Sequence, residues 1–280
     1  MQTTMVPQTR AHKPLWLRVA MWGAGLAVVV YAVLLAALWF GQEALLFDPV
    51  KLPADHRFAF GTDVQETWVD VPGARLNALH LQLPKPDGVV FFLHGNSGNL
   101  ETWFVNADFY RNANFDMFML DYRGYGKSTG RIESQAQLEA DVLAAWNTIA
   151  PRYAGKRRVI LGRSIGTGLA SALAATVQPE QTVLVSPYES MVALAGAHYP
   201  WVPSAFLRYP LRSDLALQQV QGPVLLAHGE KDTLIPPSNS EHLQKLAKRA
   251  QLLIVPGAAH NDMQTFDAYL NAVRAAMVGK

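Results

Sequence analysis

The feature that most constrains this chain is a rhythm of short, continuous apolar runs at residues 89–93, 115–120, 158–161, 182–185, 223–227 and 251–255, separated by longer segments. Runs that are apolar at successive positions, not alternate ones, must be covered on both faces, which is the condition of a parallel sheet. The intervening residues 100–112, 133–150, 165–177, 238–248 and 262–277 carry apolar side chains at a spacing near 3.6, which predicts helices. Alternation of the two predicts an α/β architecture, a mostly parallel twisted sheet with helices on both faces. Residues 67–71 and 76–83 flank Pro72-Gly73 and predict an antiparallel strand pair ahead of it.

Composition narrows the chemistry. With 280 residues, half of them apolar, the chain can bury one sizeable core. The net charge of +2 comes from scattered lysines and arginines, which argues against nucleic acid as a partner. There is no cysteine, so disulfides, thiolate metal sites and a cysteine nucleophile are excluded. None of the histidines pairs at a metal-ligand spacing, and neither a metal nor a cofactor is expected.

The N-terminal region carries a second signal. Residues 19–40 hold no charge, a run of about 22 residues that can cross a bilayer as a helix. Arg10, Lys13 and Arg18 precede the run and Glu43 and Asp48 follow it, which predicts a cytoplasmic N-terminus. The expected organisation is a basic cytoplasmic tail (1–18), a transmembrane anchor (19–40), a short tether (41–66) containing Pro49 and Pro53, and a domain (67–280) outside the cytoplasm, periplasmic in a Gram-negative cell. A cleaved signal peptide is the rival reading. Such a segment is usually shorter and ends in small residues, whereas this one ends in Leu38-Trp39-Phe40.

In open α/β sheets ligands bind beyond the carboxyl ends of the strands, so reactive groups that directly follow strands are the candidates. Gly162-Arg163-Ser164-Ile165-Gly166 reads as strand, tight turn and helix, with Ser164 at the apex. Its glycines answer a steric need, because a turn this sharp leaves little room for Cβ atoms. A serine hydroxyl is a weak nucleophile that needs a base for its proton and donors for the developing oxyanion. His260, after the run 251–255, is the candidate base, and Asp232, after 223–227, is the candidate acid that would orient it. The order Ser164, Asp232, His260 differs from those of the common serine proteases. Backbone N–H groups of Asn96 and Ile165 are the candidate oxyanion donors. Glu189 and Asp214 are rivals to Asp232.

Other residues have plainer expectations. His94 and His228, both followed by glycine after a strand, read as structural hydrogen-bonding residues. Asp121-Tyr122-Arg123-Gly124-Tyr125-Gly126 reads as a braced turn. Asn261 and Asp262 read as caps of the last helix, and Trp103 and Phe104 as core. Residues 188–220, with Tyr199-Pro200-Trp201-Val202-Pro203 and Tyr209-Pro210, read as a small insertion. It fits either a cap lining an acyl pocket or a helical connection on the sheet edge.

The segment from Thr67 to the C-terminus resembles the α/β-hydrolase superfamily through His94-Gly95-Asn96-Ser97-Gly98-Asn99, Asp121 to Ser128, the turn at Ser164, His228-Gly229 with Asp232, and His260-Asn261-Asp262. With the apolar segment upstream, it is similar to the membrane-anchored bud-emergence-type branch, which includes lysophospholipid lipases and protein depalmitoylases. The resemblance implies an α/β-hydrolase fold and hydrolysis of an ester, thioester or amide. It also implies a Ser164, Asp232, His260 triad and a small-molecule or lipid-like acyl substrate. A peptidase of the same fold is the alternative, and a membrane-tethered binding protein without chemistry is a further one.

Overall fold

The computed structural model describes residues 14–279. The expected basic tail lies mostly outside them. The chain divides into two compact units, Met1–Gly41 and Gln42–Lys280. What is described of the first belongs to the helix Leu15–Leu46, which is longer than the apolar run that predicted it. Its 32 residues span about 48 Å at 1.5 Å per residue, against about 30 Å of bilayer hydrocarbon. An 18-residue stretch of it has a mean hydropathy of 2.3, so the helix is long and apolar enough to cross a membrane, a criterion that an N-terminal signal sequence also meets.

The larger unit is built on eight strands: β1 Val64–Val71, β2 Ala74–Leu81, β3 Gly88–Leu93, β4 Phe115–Leu120, β5 Arg157–Arg163, β6 Gln181–Val185, β7 Val224–Gly229 and β8 Ala250–Val255. Their spatial order is β8-β7-β6-β5-β3-β4-β2-β1. β1 pairs antiparallel with β2 and β2 with β4, while every pairing from β4 to β8 is parallel. Each continuous apolar run divides its side chains between two faces, because successive residues of a strand point to opposite sides. In β3, Val89, Phe91 and Leu93 enter one core with Leu138, Trp146, Leu169 and Leu243, while Val90 and Phe92 enter the other with Phe104, Val273 and Met277. Helices Gln135–Ile149, Gly166–Val177 and Ser238–Leu246 therefore cover one face, and Ala107–Asn112 and Asp267–Val278 the other.

Two predicted helices are shorter than expected. Residues 100–112 form Leu100–Trp103 and Ala107–Asn112 around a 3-10 turn, Phe104–Asn106. The last helix starts at Asp267, after another 3-10 turn, Met263–Thr265. Residues 188–220 hold the short helices Met191–His198 and Ser213–Leu217. Tyr209, Leu211 and Leu217 in that stretch are core, whereas Tyr199 and Trp201 are exposed. The stretch read as a tether is largely ordered against the domain: Phe47 is buried and Asp48–Pro49 pairs in parallel with Ser97–Gly98.

A buried polar group lies on β2 and β4. His80 meets the Tyr153 hydroxyl at 2.7 Å, and that hydroxyl donates to the Asp116 carboxylate. Burial, helped by the Arg152 guanidinium, holds the His80 pKa down to about 4. In the unfolded chain a histidine titrates near 6.5. Between pH 6.5 and 4 the unfolded state thus binds more protons, so stability is full above that window and falls as pH drops through it. The expected loss by pH 4 is about 3 kcal/mol at most, at roughly 1.4 kcal/mol per unit, reduced by Asp116, whose pKa burial raises and whose contribution has the opposite sign. Thermal melts from pH 7 to 4 should show this decline, and His80→Asn should flatten it; identical slopes would assign the decline to other groups.

Candidate active site

The register of the sheet brings the candidate residues to one edge. Leu93 pairs with Gly162, Arg163 with Val185, Val185 with Ala227 and Gly229 with Val255, so the loops after β3, β5, β6, β7 and β8 leave side by side. The chain reverses its direction of travel across the sheet between β3, β4 and β5, the position where α/β sheets open a crevice.

Ser164 stands at the turn between β5 and the helix Gly166–Val177 with φ +53°, a left-handed conformation that costs a residue with a Cβ about 1 kcal/mol or more. The turn is held by Ser164 N–H to the Val185 carbonyl at 3.0 Å and by the Tyr188 hydroxyl to the Ile165 carbonyl at 3.0 Å. The flanking glycines are required. A Cβ on Gly162 would lie 2.6 Å from the Gly166 carbonyl oxygen, and one on Gly166 would lie 2.3 Å and 2.6 Å from the carbonyl oxygens of Leu93 and His94. Those oxygens belong to backbone that cannot swing away as a side chain could. Gly166→Ala should therefore displace the loop after β3, destabilise the fold by about 2 kcal/mol or more and cut hydrolysis at least about tenfold. Thermal melts paired with ester assays measure both, and a variant with native Tm and rate would show that the two segments can separate cheaply.

Ser164, His260 and Asp232 form one hydrogen-bonded line. Ser164 Oγ is 3.0 Å from His260 Nε2, and His260 Nδ1 is 2.7 Å from Asp232 Oδ2. The other Asp232 oxygen accepts the N–H groups of Leu234 at 3.0 Å and Ile235 at 2.9 Å. Burial alone would raise the Asp232 pKa, but the His228 and His260 rings and the Ile235 N–H more than reverse this and hold it well below the usual carboxylate range. Asp232 is thus an anion over the whole physiological range. In this geometry His260 can take the serine proton at Nε2 while Nδ1–H stays on Asp232.

The rival acids lie elsewhere: Glu189 meets His242 at 2.7 Å, and Asp214 accepts from Arg212. The loop carrying Asn96 lies against Ser164, since a Cβ on Gly95 would be 3.7 Å from the Ser164 Cβ. Among the described residues, no backbone bond in loops or turns takes the N–H of Asn96 or of Ile165.

The two histidines read as structural have structural partners. His228 Nε2–H donates to the Ile235 carbonyl at 2.7 Å, and the Ser240 hydroxyl lies 2.6 Å from Nδ1. His94 Nδ1–H donates to the Gly95 carbonyl at 2.7 Å, which fixes the peptide plane that also carries the Asn96 N–H. The turn after β4 is braced as expected: Arg123 grips Asp141, while the hydroxyls of Tyr122 and Tyr125 donate to the carbonyls of His94 and Asn96.

Asp262 departs from its reading. Its carboxylate accepts the Ala259 N–H at 2.7 Å and braces the turn that carries His260, while the last helix begins at Asp267 without a side-chain cap. Trp103 is less a core residue than a wall of the loop, with its Nε1–H on the Ser97 carbonyl at 2.7 Å; Phe104 is core. Arg163 had no predicted role, yet its guanidinium reaches the His260 carbonyl at 3.1 Å and Gln264 at 2.8 Å. Only its place inside the Gly-x-Ser-x-Gly pattern could have drawn attention to it.

Comparison with known proteins is consistent with this architecture. Residues 84–213 match the hydrolase family described as serine aminopeptidase, S33. An uncharacterized protein of Mycobacterium tuberculosis is 31% identical over 269 residues, covering 89% of this chain and 93% of the relative. Alpha/beta hydrolase domain-containing protein 17B of Xenopus laevis is 30% identical over 197 residues, covering 68% of this chain and 66% of the relative. Among solved structures, an esterase from Pyrococcus furiosus superposes with a TM-score of 0.66 at 16% identity, covering 84% of this chain and 97% of that one. A monoacylglycerol lipase from Paleococcus ferrophilus does so with a TM-score of 0.58 at 19% identity, covering 73% of this chain and 98% of that one.

Proposed function

We propose that this chain, which belongs to the α/β-hydrolase superfamily, is a membrane-anchored serine hydrolase that cleaves a carboxylic ester or thioester of an acyl, lipid-like substrate. The observation that carries the reading is the line from Ser164 Oγ to His260 Nε2 at 3.0 Å and from His260 Nδ1 to Asp232 at 2.7 Å. In the proposed mechanism His260 takes the Ser164 proton as Oγ attacks the carbonyl carbon, and Asp232 stabilises the imidazolium that forms. The carbonyl oxygen becomes an oxyanion held by the N–H groups of Asn96 and Ile165. Collapse expels the alcohol or thiol with the proton from His260, leaving an acyl-serine. Water, activated by the same histidine, then releases the acid and restores Ser164.

A peptidase is the second reading, favoured by the description of the matched family as serine aminopeptidase. Purified protein assayed against carboxylic esters and thioesters of graded acyl length, and against peptides and aminoacyl amides, separates the two. Cleavage confined to amides would overturn the ester reading.

We place the chain in the membrane-anchored, bud-emergence-type branch and its larger unit outside the cytoplasm. The helix Leu15–Leu46 and the positive charges ahead of its apolar stretch support this. A reporter fused at the C-terminus that is active only in the cytoplasm would contradict it.

A further inference from the structure

The segment that leaves the apolar helix runs along the loop that carries Asn96. Asp48 N–H donates to the Asn96 carbonyl at 2.9 Å and Val50 N–H to the Gly98 carbonyl at 3.0 Å. In return, Asn99 Nδ2 donates to the Val50 carbonyl at 3.0 Å and Ser97 Oγ to the Asp48 carboxylate at 2.7 Å. The same edge of the segment continues onto the braced turn, through Gly126 N–H to the Val50 carbonyl and Leu52 N–H to the Gly126 carbonyl, both at 3.0 Å. Its first residue, Phe47, is buried edge-on against Tyr209 at 5.4 Å.

We infer that Asp48 and Val50 are positioning residues for hydrolysis: their main chain holds the loop 96–99 so that the Asn96 N–H faces the oxygen developing beside Ser164. The inference rests on the function proposed above and adds a part of the chain to the site. Its physical basis is the loop's own weakness. The loop contains Gly95 and Gly98, the latter at φ +92°, and glycine opens backbone conformations that other residues exclude. An oxyanion donor is useful only when its direction is set before the charge appears. His94 and Tyr125 grip the loop from one side, through the carbonyls of Gly95 and Asn96. Asp48 and Val50 grip it from outside the sheet, with four hydrogen bonds that all end on residues 96–99. A group that orients a transition-state donor without touching substrate should govern kcat and leave KM nearly alone.

The test uses the full chain in detergent and two proline variants. Val50→Pro removes the N–H that meets Gly98. Lys51→Pro restricts the same stretch equally but deletes an N–H that makes no backbone bond with the loop. Val50→Pro should lower kcat about tenfold to a hundredfold, with KM within about twofold, while Lys51→Pro stays near wild type. Amide hydrogen exchange at residues 96–99 should rise in Val50→Pro alone. This second readout stands even if the wild-type protein cleaves no ester, which separates failure of the strap from failure of the proposed function. If Val50→Pro does not fold, Asp48→Pro deletes the neighbouring bond to Asn96 and should give the same pattern. Unchanged kcat and exchange in the folded variant, or equal losses in Lys51→Pro, would overturn the inference. So would failure of both loop-facing variants to fold while Lys51→Pro folds, because the segment would then serve the fold alone.

Discussion

Ser164→Ala is expected to abolish labelling by a fluorophosphonate probe and to lower ester turnover by about 10⁴-fold or more, because among the described residues no other hydroxyl meets the His260 ring. The fold should survive, since among the described residues Oγ hydrogen-bonds the partly buried His260 ring alone. Ser164→Gly offers a second, opposite readout. Ser164 sits at φ +53°, where glycine is free of the Cβ penalty, so the glycine variant should be equally inactive yet more stable by about 1 kcal/mol. Probe labelling, a turnover assay and a thermal melt on the three proteins decide the matter. Labelling that persists in Ser164→Ala would place the nucleophile elsewhere. A glycine variant no more stable than the serine protein would mean that the turn stores no strain.

Asp232→Asn should be almost as damaging, with kcat lower by about 10³- to 10⁴-fold. Asp232 Oδ1 accepts two backbone N–H groups and Oδ2 faces His260 Nδ1. An asparagine must keep its oxygen on the two N–H groups, which turns its NH₂ toward His260. Two donors cannot face each other, so the imidazole is driven to the tautomer with hydrogen on Nε2. That ring can no longer accept the Ser164 proton. Glu189→Gln, which alters only a surface pairing with His242, should retain native kcat. Measured side by side, a large loss in Glu189→Gln with little change in Asp232→Asn would exchange the roles of the two acids.

Much of this arrangement was legible before any coordinates. The apolar runs from Val89 to Val255 became the parallel strands, because a strand buried on both faces has no position at which a polar residue is free of cost. Ser164, Asp232 and His260 could be placed because each directly follows such a run, and loops at one edge of a parallel sheet share a crevice. The helix expected at 100–112 breaks around Phe104, where local propensity yields to packing of that ring in the core. Asp262 looked like a helix cap because Asp, Ser and Asn stabilise any nearby unpaired N–H. Only the fold shows that the N–H it meets is that of Ala259. The stretch 47–52 looked like a linker because Pro49, with Pro53 just beyond it, and mixed polarity hide its strand character. A strand paired through its main chain to a loop far along the sequence leaves little trace in its side chains.

Sequence alone therefore determined the parallel strands and the helices that cover them, the apolar helix, and the candidate nucleophile and base. These follow from periodicity and chain order, which are local properties of a polymer in water. Tertiary structure decided which carboxylate faces His260, what holds the peptide of Asn96, and that the residues just beyond the apolar helix bond to the loop that carries it. Those depend on contacts between segments distant in the chain, as between Asp48 and Asn96 or Arg163 and His260. Such contacts are made largely by backbone groups that every residue carries, so no residue type announces them.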